Sequence, residues 1–219
     1  MNMSRITNLL IPMSMLLAVG CQPTPVRPTD ETHSRTTPET ESREFQPMPA
    51  SNPENHATTA DGHQVAIIAG GCFWGMEELL REIDGVLHTE VGYCGGQNEN
   101  ATYHNHPGHA EAVKITFDPK RISFQTLLTD WFFRMHDPTT LNRQGNDIGT
   151  SYRSTIFFFN DEQKQIAQQA IDAAAASGRW NKPITTTIEP VKNWSVAEEY
   201  HQDYLQKNPG GYTCHYLRP

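Results

Sequence analysis

The chain has 219 residues, 17 basic and 25 acidic, with a formal net charge of −8 and 37 % hydrophobic side chains. That balance argues against nucleic acid and against charge-driven binding to anionic lipid. Its four cysteines include no C-x-x-C pair, so neither a zinc ribbon nor a thioredoxin motif is supported.

Residues 1–21 carry Arg5, an apolar stretch from Leu9 to Val19, and then Gly20-Cys21. The stretch is too short for a stable transmembrane helix and reads as an export signal. A small residue followed by cysteine at this place resembles the lipobox of bacterial lipoproteins, with Ala18 where leucine is usual and Leu17 one position earlier. The resemblance implies cleavage before Cys21 and its acylation. With Gln22 next, it also implies a cell-envelope protein on the outer membrane, facing the periplasm and held there by lipid. Ordinary signal cleavage is the alternative, with Cys21 a bystander. Residues 22–60 hold seven of the fifteen prolines among Thr, Ser, Glu and His, with Phe45 the only aromatic. This composition cannot bury enough apolar surface to offset ordering and reads as a disordered tether.

Residues 61–219 suffice for one domain with its own core. β-branched and aromatic runs predict strands at 64–69, 87–93, 110–117, 152–159 and 183–191. Helical spacing predicts helices over 74–83, 123–136 and 161–177, and the capping-box spacing Ser195-Val196-Ala197-Glu198 a last one to Lys207. The order predicts an α+β fold: a two-layer sandwich on a ferredoxin-like, split βαβ mixed sheet, with loop-rich extensions. The irregular segments 92–109 and 137–151 are long enough to carry function. The glycines before Cys214 suggest a mobile tail.

Gly71-Cys72-Phe73-Trp74-Gly75 stands between the first strand and the first helix. A thiol at a helix N-terminus meets unpaired N–H groups and the positive end of the dipole, which favour thiolate. Two aromatics beside it suggest a nucleophile for a small, partly apolar group. A buried cysteine packed under a βα turn fits the same residues. With Cys21 assigned to acylation, three cysteines remain, an odd number that suggests redox chemistry in an exported domain.

Gly-Cys-Phe-Trp-Gly resembles the signature of the A-type peptide methionine sulfoxide reductases. The resemblance extends through Gly92-Tyr93-Cys94-Gly95-Gly96, Thr102-Tyr103, Gly108-His109-Ala110-Glu111-Ala112-Val113, His136-Asp137-Pro138-Thr139, Arg143-Gln144-Gly145-Asn146-Asp147-Ile148-Gly149, Ser151-Tyr152-Arg153-Ser154, Tyr200-His201-Gln202-Asp203-Tyr204-Leu205 and Asn208-Pro209-Gly210-Gly211-Tyr212. It implies thiol-dependent reduction of methionine-(S)-sulfoxide, free or in oxidised proteins, through a cysteine sulfenic acid and a disulfide. Cys72 is then the nucleophile. Glu111 is the acid, in an apolar frame of Ala110, Ala112 and Val113 that favours its protonated form. Tyr103 and Tyr152 donate to the sulfoxide oxygen, Asp147 belongs to the same hydrogen-bonded wall, and Phe73 and Trp74 form the methyl pocket. Cys214 is the resolving cysteine, although Thr213 separates it from Tyr212 where the usual pattern has them adjacent. An external thioredoxin-like dithiol is expected as reductant and partner, with no bound cofactor, no metal and a monomeric enzyme. For Cys94 a small semi-buried thiol is favoured over a second resolving cysteine. His104, His106 and His109 form a His-x-His-x-x-His loop near Cys94, but a loop gives them no fixed ligand geometry. A general thiol peroxidase shares the sulfenic intermediate, yet gives no reason for the aromatic pair beside Cys72.

Overall fold

The structure, a computed structural model, describes residues 57–219. The export signal, Cys21 and the tether up to residue 56 lie outside the described residues. Ala57 is buried, and Thr58 pairs with Gln64, so the packed region starts a few residues before Asp61.

The first half follows the sequence pattern closely. β1 (Gln64–Gly70) leads through Gly71 and Cys72 into α1 (Phe73–Arg81), followed by β2 (Val86–Cys94) and β3 (Ala110–Phe117). The predicted helix over 123–136 is real but not uniformly α. It opens as α2 (Phe124–Thr126), capped by the Ser123 side chain, widens to a π-helix over Leu127–Phe132, and closes as α3 (Phe133–Met135). A small hairpin follows, β4 (Arg143–Gln144) with β5 (Asp147–Ile148). Next come β6 (Ser154–Phe158) and α4 (Asp161–Ala176), whose Asn160 N-cap accepts from the Gln163 amide at 2.9 Å. β7 (Thr187–Pro190), β8 (Ser195–Val196) and a single turn, α5 (Tyr204–Lys207), complete the chain.

The six-stranded sheet has the order β7-β6-β1-β3-β2-β8, antiparallel except for the parallel pair β6–β7. One face carries the main core. Phe73, Met76 and Leu80 of α1, Leu127, Leu128 and Phe132 of the second helical stretch, and Ala167, Ala170 and Ala174 of α4 pack there on Ile68, Val113 and Ile115. The other face carries Ile67, Ala69, Cys94, Ala110, Ala112 and Phe157, covered by Phe159, Val191 and Trp194 from irregular chain. Among the described residues this is a mixed α/β fold with few helices, of which α1, the 124–135 stretch and α4 pack on the same sheet face.

Four sequence expectations are corrected. Ser195 does not cap a helix: it pairs with Tyr93 as part of β8, and its hydroxyl bridges the Glu99 carbonyl and the Ala101 amide. Competing backbone partners took the side chain that the capping box needed. Helix appears only at Tyr204, beyond a left-handed Asp203. Tyr152 lies in a 3₁₀ turn, Thr150–Tyr152, ahead of its expected strand, and the strand predicted from 183 starts at Thr187. The tail after Pro209 is docked. His215 is buried, and the Arg218 amide bonds to the Arg134 carbonyl at 2.8 Å.

Candidate active site

The turn between β1 and α1 positions the thiol. Gly71 has φ +114, and a Cβ there would stand 2.6 Å from the Gln144 side chain, so only glycine lets the hairpin approach. Cys72 becomes the N-cap residue of α1, 6 % exposed, with the Trp74 amide aimed at its sulfur. The expected thiolate preference is nevertheless reversed. Burial, and then the negative charge of Glu111, push the Cys72 thiol well above its ordinary pKa and outweigh the amide.

Glu111 is the second of these causes. Strand alternation puts Ala110 and Ala112 on the far face of the sheet, while Glu111 shares the helix side with Val113 and pairs with Tyr93 across the ladder. It is 3 % exposed, and its Oε2 accepts from the first amide of α1, Phe73 N–H, at 3.1 Å. Burial, with a smaller contribution from Asp147, raises its pKa to about 8. Near neutrality this carboxyl therefore holds a proton, although of the expected apolar frame only Val113 lies on its side of the sheet.

The remaining predicted residues converge from four segments. Tyr152 stands among the charges of Glu111, Asp147 and Cys72; burial and those charges raise its pKa. Tyr103 is exposed, and its amide donates to Glu198 Oε1 at 2.9 Å. Asp147 on β5 accepts from the Tyr212 hydroxyl at 3.1 and 3.0 Å and from the Cys214 thiol at 3.3 Å. Cys214 lies against the Cys72 backbone N–H, its own pKa pushed up to about 12 by burial and by Asp147. Phe73 is fully buried, in contact with Tyr93 and His201. Trp74 is only half-covered. Its indole stacks on Tyr204 at 3.7 Å and donates to His201 Nδ1 at 3.1 Å.

Cys94 is apart from this group. Fully buried on the second sheet face, it sends its S–H toward the Lys192 carbonyl at 3.6 Å, and burial lifts its pKa to about 12. The loop histidines also disperse: His109 bonds Asn98, and His106 bonds Ser151 while stacking on Tyr93.

Sequence reasoning missed four supporting residues. Glu198 ties the Tyr93 hydroxyl to the Tyr103 amide, His201 and Tyr204 fix the Trp74 ring, and His215 joins Cys214 to β1. The tyrosine–histidine motif at 200–204 was the available signal.

A proton-holding carboxyl, a buried thiol beside a half-open indole, and a second thiol at the first one's backbone suit thiol attack on a polar sulfur group, followed by disulfide closure. Comparison with known proteins agrees. The family model described as peptide methionine sulfoxide reductase matches residues 64–219. A protein of Mycobacterium sp. (strain MCS) named peptide methionine sulfoxide reductase MsrA is 55 % identical over 157 residues, 72 % of this chain and 91 % of that protein. Among solved structures, reduced Mxr1 from Saccharomyces cerevisiae superposes with TM-score 0.67 at 39 % identity, covering 74 % of this chain and 96 % of that one. Mxr1 in complex with Trx2 gives TM-score 0.51 at 29 % identity, covering 74 % and 94 %. The chain belongs to the peptide methionine sulfoxide reductase family, and it is an oxidoreductase that reduces methionine sulfoxide with thiols.

Proposed function

We propose that Cys72 attacks the sulfur of methionine-(S)-sulfoxide while Glu111 protonates the oxygen. Methionine departs, Cys72 is left as a sulfenic acid, and Cys214 condenses with it to a disulfide. The observation that carries this reading is the arrangement of Glu111: a buried carboxyl, its pKa raised to about 8, fixed to the amide next to the nucleophile. Glu111 and Cys72 are coupled acids, because a charge on the carboxylate raises the thiol. One proton between them suffices: when Glu111 holds it, the carboxylate charge no longer opposes the thiolate, and burial alone stands against the Trp74 amide. Tyr103, Tyr152 and Asp147 supply the polar wall for the oxygen, where aligned donors stabilise developing charge. Trp74, with Phe73 behind it, receives the ε-methyl, and apolar contact there selects the sulfoxide epimer.

A thioredoxin-like dithiol reduces the disulfide; the complex of Mxr1 with Trx2 supports this for a relative. The order β6-β1-β3-β2, antiparallel throughout, supports reading the core as a split βαβ. The lipobox-like Gly20-Cys21 supports a lipid-anchored envelope protein, with residues 22–60 as its tether. Among the described residues no helix is long and apolar enough to cross a membrane. Loss of detergent-phase partitioning in Cys21→Ser tests the anchor; unchanged partitioning removes it.

The decisive experiment for the chemistry is reduction of methionine-S-sulfoxide with dithiothreitol. The protein should be active and Cys72→Ser inactive; a fully active variant overturns the assignment. Cys214→Ser should release one methionine per enzyme and then fail to recycle with thioredoxin.

A further inference from the structure

His215 follows Cys214 in the chain, yet its ring does not point to solvent. It is 7 % exposed, with Nε2 at 2.9 Å from the Gly70 carbonyl and Nδ1 at 3.4 Å from the Cys214 sulfur. A carbonyl can only accept, so Nε2 carries the hydrogen and Nδ1 of the neutral ring is a bare lone pair facing the thiol. The ring is held on several sides. A Cβ on Gly75 would stand 2.7 Å from Nδ1, and one on Gly71 would stand 3.1 Å from Cε1. A thiol, a base within reach and a third group that fixes the base's tautomer form the arrangement that activates a nucleophile.

We propose that His215 is the general base of the resolving step, taking the Cys214 proton through Nδ1 as that sulfur attacks the Cys72 sulfenic acid. This rests on Cys214 being the resolving cysteine. The electron pair left on the Cys214 sulfur forms the S–S bond, and the S–O bond of the sulfenic acid breaks. The departing hydroxide leaves as water with the proton His215 collected. One proton and one hydroxide are thereby accounted for, with no outside oxidant or reductant.

The charged and titratable groups around the ring favour this transfer in part. Asp147 stabilises an imidazolium, Arg218 and His136 oppose it, and Cys72 and Glu111 lie beyond Cys214. Burial keeps His215 neutral, its pKa pushed down to about 4, so the lone pair is open at any ordinary working pH. Asp147 also accepts from Cys214, at 3.3 Å, but its carboxylate is already engaged by the Tyr212 hydroxyl at 3.1 and 3.0 Å, whereas the Nδ1 lone pair of His215 faces the thiol alone.

The test reads the pH dependence of disulfide closure. Reduced protein is mixed with one equivalent of methionine sulfoxide and quenched at intervals; mass analysis separates sulfenic acid from disulfide. With an internal base, wild-type closure is flat between about pH 5.5 and 8.5. In His215→Asn and His215→Ala it falls by about 10²-fold near neutrality and rises about tenfold per pH unit, because attack then depends on free thiolate. A wild-type rate that already rises tenfold per unit, or a flat rate in His215→Asn, overturns the proposal. The wild-type profile decides even where a variant fails to fold. A wild type that forms no Cys72–Cys214 disulfide instead removes the resolving role of Cys214 itself.

Discussion

Phe73 N–H and Glu111 Oε2 are 3.1 Å apart, so the first amide of α1 is bonded to the carboxyl proposed as the acid rather than to the thiol. Glu111 is thereby tied to the backbone that carries Cys72. Glu111→Gln keeps an acceptor for that amide but has no acidic proton, and reduction should slow by about 10²–10⁴-fold. Wild-type turnover should decline above about pH 8 as Glu111 ionises, and the variant should lack that limb. Stability should follow the same group. Its folded pKa lies above its ordinary 4.5, so its contribution is lost as pH rises from there through about 8. Denaturant unfolding across that range checks the second half.

Gly75 is inside α1, where alanine would ordinarily stabilise by up to about 1 kcal/mol. Here its Cβ would collide with Thr213 and reach within 2.7 Å of His215 Nδ1. Gly75→Ala should lift the tail away. One methionine should still be released per enzyme, while disulfide closure slows by about 10²-fold. Rapid quench with thiol counting measures both.

The Trp74 indole is held by a stack on Tyr204 and a bond to His201. His201→Ala removes an interaction of about 1 kcal/mol, so KM for the sulfoxide should rise about fivefold with a smaller change in kcat. Equal loss in both constants would place His201 outside substrate positioning.

His136 is fully buried between the Phe132 carbonyl and the Ser154 hydroxyl, and burial depresses its pKa to about 3. Its folded pKa lies below the ordinary 6.5, so stability is complete above 6.5 and is lost as pH falls toward 3. His136→Gln should reduce the acid slope by about 1.4 kcal/mol per pH unit between pH 6 and 4. Urea titrations at both ends of that interval give the slope.

Much of the site was legible because it resides in contiguous motifs: Cys72 with its aromatics, Glu111 in a strand, Tyr152 and Asp147 in one loop. Strand and helix order was legible from periodicity. Two things were not. The reversed protonation preference of Cys72 depends on its burial in the folded chain and then on a carboxyl 39 positions away that faces it only after β1 and β3 pair. The roles of Glu198, His201 and Ser195 depend on long-range partners, which overrode the local capping signal. Of the glycines that suggested a loose tail, Gly210 instead makes a turn, with φ +81, and the tail packs closely on Gly75 of α1.

The chain around Cys214 is fastened on both sides, by Tyr212 on Asp147 and by Arg218 on Arg134. A thiol held on so short a span has already lost most of the entropy that a free thiol must give up on encounter. On the proposed reading, small thiols in solution therefore compete poorly for the sulfenic acid. So do further equivalents of oxidant, and the irreversible sulfinic stage is outrun rather than shielded. Protection of the enzyme from its own substrate's chemistry is then a property of where the tail is pinned.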